Sequence, residues 1–213
     1  MTQMQDDGGR GRGRTVTVIV GVAVAVAVAI GGVLLFGLFG GDDTTYRLTT
    51  PKSLAGEYQR DGKGTKGDGK AFGDKKVPGM TSHADVNAKY KSGTSKKLQL
   101  GGAYGKVADP AKAVDWVVAQ TAKSLKTATG AKAKGKPKVY APTGFDGDVL
   151  KCQEFEISDM SLGMCSWADA STVGTISVME LSSDGTSSKP VKLSKTAEVA
   201  AEVREDALVA EKD

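Results

Sequence analysis

Few residues in this chain can act as acid, base or nucleophile, and their spacing limits what they can do together. There is one histidine, His83, and there are two cysteines, Cys152 and Cys165. A nucleophilic triad needs a base held beside its nucleophile. His83 follows Thr81 and Ser82 next to a Gly/Lys-rich stretch, the setting of a solvated side chain rather than a general base. Glu154 and Glu156 would share one face of a strand. Nothing near them supplies the desolvation that raises an acid's pKa, so the pair reads as a solvent-side feature and not as a glycosidase site. One histidine and two cysteines do not make a zinc site of ordinary ligand spacing. Gly62, Gly64, Gly67 and Gly69 follow no strand-to-helix pattern that would cradle a phosphate. The expectation is no catalytic, cofactor-binding or metal residue.

The most distinctive stretch is Cys165 to Gly174, CSWADASTVG. Physically, Trp167 packs beside a disulfide, Asp169 with Ser171 and Thr172 supplies turn hydrogen bonds, and Gly174 relieves crowding or makes a bulge. The alternative is a ligand-facing set, Trp167, Asp169, Thr172 and Gly174, at a strand end.

The compartment of these residues is set by an uncharged run, Thr15 to Phe39, TVTVIVGVAVAVAVAIGGVLLFGLF. About 20 apolar residues span a bilayer core, and this run exceeds that. Val/Ala alternation imitates a strand, but an isolated strand in lipid leaves its backbone unpaired, so a transmembrane helix is expected. The run is longer than a signal-peptide core, and no A-x-A-like cleavage site follows it. Arg10, Arg12 and Arg14 precede it, while Asp42 and Asp43 follow. Basic flanks stay cytoplasmic. Residues 1–14 are then a short disordered cytoplasmic tail, and the rest lies outside the plasma membrane. Thiols there can oxidise, so Cys152 and Cys165 are expected to pair, constraining the unfolded chain by roughly 3 kcal/mol in the entropic model.

Beyond the run, residues 40–80 read as a juxtamembrane segment and loop, with a short strand in 45–50, a turn of helix over Ser53 to Gln59, and a solvated Gly/Lys-rich loop from Arg60 to Met80. Residues 81–213 read as an extracytoplasmic domain. Lys97 to Val107 alternates as a strand with a bulge at Gly101 and Gly102. Asp109 caps a helix with Pro110 at its first position, and Val114, Val117, Val118, Thr121 and Leu125 form its apolar stripe to about Lys126. Gly130 to Pro137 reads as a basic linker. Val149 to Ile157, Gly163 to Asp169 and Thr172 to Leu181 form an antiparallel meander. A turn at Ser158 and Asp159 would place Cys152 opposite Cys165. Ser194 to Ala210 reads as a second helix with a small-residue face, Ala197, Ala200, Val203, Ala207 and Ala210. The expected fold class is α+β: an N-terminal transmembrane helix, then one domain with an antiparallel sheet of about four to six strands packed by two helices.

A YxLTTPxxLAGxY-like start, Tyr46 to Tyr58, and the CxWADxSTVG-like segment, Cys165 to Gly174, resemble uncharacterised single-pass membrane proteins of Streptomyces and related actinomycetes. The resemblance implies the topology and the disulfide, and brings no activity or cofactor. From Arg60 to Lys138, Lys and Arg outnumber Asp and Glu by 18 to 6, and from Gly144 to Asp213 the balance is 6 to 14. Part of that field would cancel if the halves pack together. The expected function is a membrane-anchored binding or interaction protein of the bacterial cell envelope, the alternative a hydrolase-like envelope enzyme. Expected partners are the bilayer through residues 15–39, and an envelope protein or an anionic cell-wall polymer. Small-residue faces such as Gly21, Ala25 and Ala29 permit a homodimer through the span. The basic region lacks interleaved aromatics, which argues against nucleic acid.

Overall fold

A computed structural model describes residues 45–67, 71–72 and 75–211. The tail 1–14, the apolar run 15–39 and Asp42 and Asp43 lie outside the described residues. Among those described, no helix is long and apolar enough to cross a membrane.

The described chain is mainly antiparallel sheet, which corrects the expected α+β class with its four to six strands. Ten strands and two helices occur among the described residues: β1 (Tyr46–Leu48), β2 (Ser53–Leu54), β3 (Tyr58–Gly67), β4 (Met80–Ser92), β5 (Lys96–Val107), α1 (Pro110–Thr129), β6 (Lys132–Val139), β7 (Val149–Ile157), β8 (Met160–Ala168), β9 (Thr172–Glu180), α2 (Leu193–Ala207) and β10 (Leu208–Ala210). Eight strands form one sheet in the order β2-β3-β4-β5-β9-β8-β7-β6, and β1 pairs with β10 in a separate ribbon. The large sheet curls into a half-barrel. Register shifts between Asp61 and Thr65, Thr81 and Ala84, and Lys134 and Lys138 add the local twist that such curling needs.

Three segments not expected to be strand belong to the sheet. Ser53 to Gln59 makes a tight hairpin between β2 and β3 instead of a helical turn, with Ala55 and Gly56 at positive φ. Arg60 to Gly67 is strand, not loop, paired along β4. Lys132 to Val139 is an edge strand, not a linker, and every one of its residues is exposed. Polar, glycine-rich sequence suffices in both because an outer strand needs only one neighbour's backbone ladder. Lysines, Pro137 and a bulge blunt the β6 edge.

Elsewhere the Asp109 cap and the turn at Ser158 and Asp159 act as expected, while α1 runs past the expected Lys126 to Thr129. Asp109 accepts the Lys112 N–H at 3.0 Å at the head of α1, and Gly130 closes the helix at φ 72°, donating to the Lys126 carbonyl at 2.9 Å. The β7–β8 hairpin turns through Ser158, at φ 53°, and Asp159. No register break occurs at Gly101 and Gly102, so the expected bulge is absent there. The second helix stops at Ala207, and the next three residues pair with β1.

Successive side chains of a strand face opposite ways. On β8, Cys165 and Trp167 join a core with Ala197, Ala200, Val203 and Ala207 of α2. Met164 and Ala168 join another with Ala113, Val114, Val117 and Val118 of α1. The helices therefore cover opposite faces. Their exposed charges are mostly basic on α1 (Lys112, Lys123 and Lys126 with Asp115) and mostly acidic on α2 (Glu198, Glu202, Glu205 and Asp206 with Lys195), and the sheet lies between them.

Candidate functional site

Cys152 and Cys165 are paired residues of β7 and β8, their Cα atoms 4.1 Å apart, and they form the disulfide. Beside it lies Trp167, fully buried, across from Leu150 on one side and Gly174 on the other. Any Cβ at Gly174 would run into the indole ring. Asp169 stands in the β8–β9 turn. One carboxylate oxygen accepts from the N–H groups of Ser171 (2.9 Å) and Thr172 (2.7 Å) and from the Ser171 hydroxyl (3.2 Å). The other accepts from the Thr172 hydroxyl at 2.6 Å and from Arg204 Nη2 and Nε at 2.9 and 3.2 Å. A carboxylate this occupied has no lone pair left for a ligand. The structure brings Trp167, Asp169, Thr172 and Gly174 together as an anchor, holding a tight turn to α2.

Arg204 completes that anchor and was not apparent as a site residue. Its side chain is 6% exposed, pairs with the 13%-exposed Asp169 and with the largely exposed Asp146, and stacks over Phe145 at 5.6 Å. Burial pulls its pKa below the ordinary arginine value. The signal was periodicity: Ala197, Ala200, Arg204 and Ala207 recur at helical spacing, so an arginine sits on the buried small-residue stripe.

The other chemical candidates stay apart. Glu156 pairs with Lys134 at 2.8 Å across the β6–β7 ladder, and that lysine holds its carboxyl below the usual range. Such a group stays ionised and makes a poor general acid. The backbone of His83 runs in β4, and its side chain lies outside the described residues. Among the described residues no group of three or more His, Cys, Asp or Glu could hold a metal ion.

Of several concavities among the described residues, two lie between a helix and the sheet, one on each face. On the α2 face a groove of about 570 Å³ runs between that helix and the ends of β3, β5 and β9. Tyr58, Val178, Val191 and Val199 give it an apolar lining. Three pairs of its rim charges are matched, Lys96 with Glu57, Lys189 with Glu180 and Lys195 with Glu198, each at 2.6 Å, and Lys192 and Glu202 complete a rim of four lysines and four glutamates. Burial first, then the charges of Glu57 and Glu180, pushes the Tyr58 phenol up to about 12, so it enters the groove as a neutral hydroxyl. On the α1 face a smaller cleft of about 220 Å³ lies between the helix and strands β4, β5 and β9. Neither is visible in the sequence, since each joins elements far apart in the chain. Compared with protein-family models, curated proteins and solved structures, the chain matches none.

Proposed function

We propose that this chain is a membrane-anchored extracytoplasmic binding protein of the bacterial cell envelope, taking an amphipathic segment of a partner protein into the groove of the α2 face. The observation that carries the reading is the groove itself, an apolar lining within a rim whose positive and negative charges balance. Ligand sites are concave and mostly apolar with few orienting polar groups, and this volume falls in their range. A rim without net charge favours a partner segment without net charge. The uncharged run 15–39 with its arginine flank supports the anchor, and a buried disulfide fits an oxidising compartment. Anionic wall polymer would find its complement on the lysine-bearing α1 side.

Photo-crosslinking tests the groove. A light-activated residue in place of Val199, in the full chain in native envelopes, should give a discrete adduct lost in a Val178→Glu background. Labelling no stronger than from the same residue at Lys126, on the exposed side of α1, would overturn the reading. Protease added to intact protoplasts should digest residues 45–213, and their complete protection would contradict the proposed side of the membrane.

A further inference from the structure

We propose that the cleft on the α1 face binds a neutral polyhydroxylated group, a sugar ring, independently of the groove on the other face. One wall is the sheet. Asn87, Gly101 and Thr175 form a row across β4, β5 and β9, and Gln99 and Ser177 are partners in the next row. Gln120, Thr121 and Ser124, on one side of α1, form the other wall. The Thr175 hydroxyl accepts from Ser166 and donates to the Cys165 carbonyl, so Thr175 turns its methyl to the cleft. The amides of Asn87, Gln99 and Gln120 and the hydroxyls of Thr121, Ser124 and Ser177 both donate and accept, the property that matches sugar hydroxyls. Charged residues are 25% of the chain, yet none is among the twelve described residues that line the cleft. Among the described lining residues a charged ligand finds no opposite charge, whereas a neutral one finds donors and acceptors on both walls. Lys75, outside the lining, donates to Gln120 Oε1 at 2.7 Å and leaves that amide's NH₂ to act as donor. At one end Phe72 is held edge-to-face by Trp116, ring centres 5.8 Å apart, and offers an apolar surface to the C–H face of a ring.

Gly101 is the second observation. Glycine weakens a strand interior unless the backbone or a close approach demands it. Here neither does: Gly101 is not among the positive-φ glycines, and a Cβ would meet only Ala71 and Thr175 methyl groups at 3.6 and 3.7 Å, ordinary contact. Its neighbour Gly102 is different, because a Cβ there would strike Leu48 at 2.6 Å and the Val173 carbonyl at 2.8 Å. What the missing side chain at Gly101 does provide is an open floor to the cleft.

The test uses the full chain in a detergent without a sugar head group. Glucose, N-acetylglucosamine and a short soluble oligosaccharide of each are added, and saturation transfer from protein to sugar ring protons is recorded. The expected result is transfer from at least one probe, weakened tenfold or more in Gly101→Val with the thermal midpoint preserved. Gln120→Leu, on the helix wall, gives the same loss without touching the sheet. Tighter binding of an oligosaccharide than of its monomer identifies a glycan chain as the source, and equal binding a free sugar. Absence of transfer from all four probes, or transfer unchanged in both variants, overturns the proposal. Crosslinking from Val199 reads the other face, so each idea can fail alone.

Discussion

On the α2 face, alternate residues of β4, β5, β7, β8 and β9 place Tyr90, Leu98, Leu100, Leu150, Trp167 and Ile176 beneath a helix, and Leu48 of the β1–β10 ribbon joins the same core. On the α1 face β5 and β9 carry smaller groups, Ala103 and Val173, β7 and β8 keep the larger Phe155, Leu162 and Met164, and β4, β5 and β9 then run out from under the helix into Asn87, Gln99, Thr175 and Ser177. One sheet thus has a face closed by large side chains, a disulfide and a buried ion pair, and a face only part covered. The difference shows how stability and binding can be separated. Bulk on one side of the ladder holds the curl, so the other side can keep a polar cleft at little structural cost.

The largest expected effect lies on the closed face. Trp167→Ala removes the largest fully buried side chain and should cost about 3–5 kcal/mol in denaturant unfolding. A loss below about 1 kcal/mol would mean that this face is not the stabilising one. Next is Arg204→Leu, which strands the mostly buried Asp169 carboxylate and should cost about 3 kcal/mol. Adding Asp169→Asn should recover part of that loss. If the double variant is as unstable as the two single losses summed, the residues are not acting as a pair.

A sharper comparison sets two adjacent glycines of β5 against each other. Gly102→Val drives side-chain atoms into Leu48 and the β9 backbone and should cost about 1–3 kcal/mol, whereas Gly101→Val begins from ordinary contacts with Ala71 and Thr175 and should leave the melting temperature unchanged or raised. Equal losses at both positions would erase the distinction between the faces.

The smallest effect appears only in alkali. Burial pushes the phenols of Tyr58 and Tyr90 from the ordinary 10.0 up to about 12, and both belong to the α2-face core. Tyr90 also donates to the Pro51 carbonyl at 3.1 Å. The folded state holds these protons more tightly than the unfolded one. Their contribution is therefore complete below pH about 10 and declines as pH rises through about 12. Thermal melts from neutral pH upward should show that decline, and it should shrink in Tyr58→Phe. A Tyr58→Phe curve parallel to the parent's would remove this phenol from the account.

Legibility followed the range of the interaction. Asp109 and Pro110 act within a turn of their own backbone, and α1 starts where they point; its end falls past the expected Lys126, because Gly130, expected in a linker, is its cap. The β7–β8 hairpin is nearly as local: once the turn sits at Ser158 and Asp159, counting residues brings Cys152 opposite Cys165. The glycine-rich β3, covered by β2 only at Tyr58 and Gln59, and the lysine-rich edge strand β6 were illegible because a strand paired on one side need not carry an alternating apolar pattern. Their order comes from β4 and β7, which supply backbone partners. Arg204 was half legible, its helical phase readable but its partner Asp169 lying 35 residues away.

By itself the sequence determined the elements whose signals are local: the capped first helix, the β7–β8–β9 meander with its disulfide, and the turn chemistry of Asp169. Only the tertiary structure decided that β5 and β9 join two hairpin units into one eight-stranded sheet, that the helices take opposite faces, and that one face is left with a groove and the other with a polar cleft. The physical reason is that a strand pattern states which residues share a face, while which helix covers that face, and how much of it, depends on contacts between segments far apart in the chain.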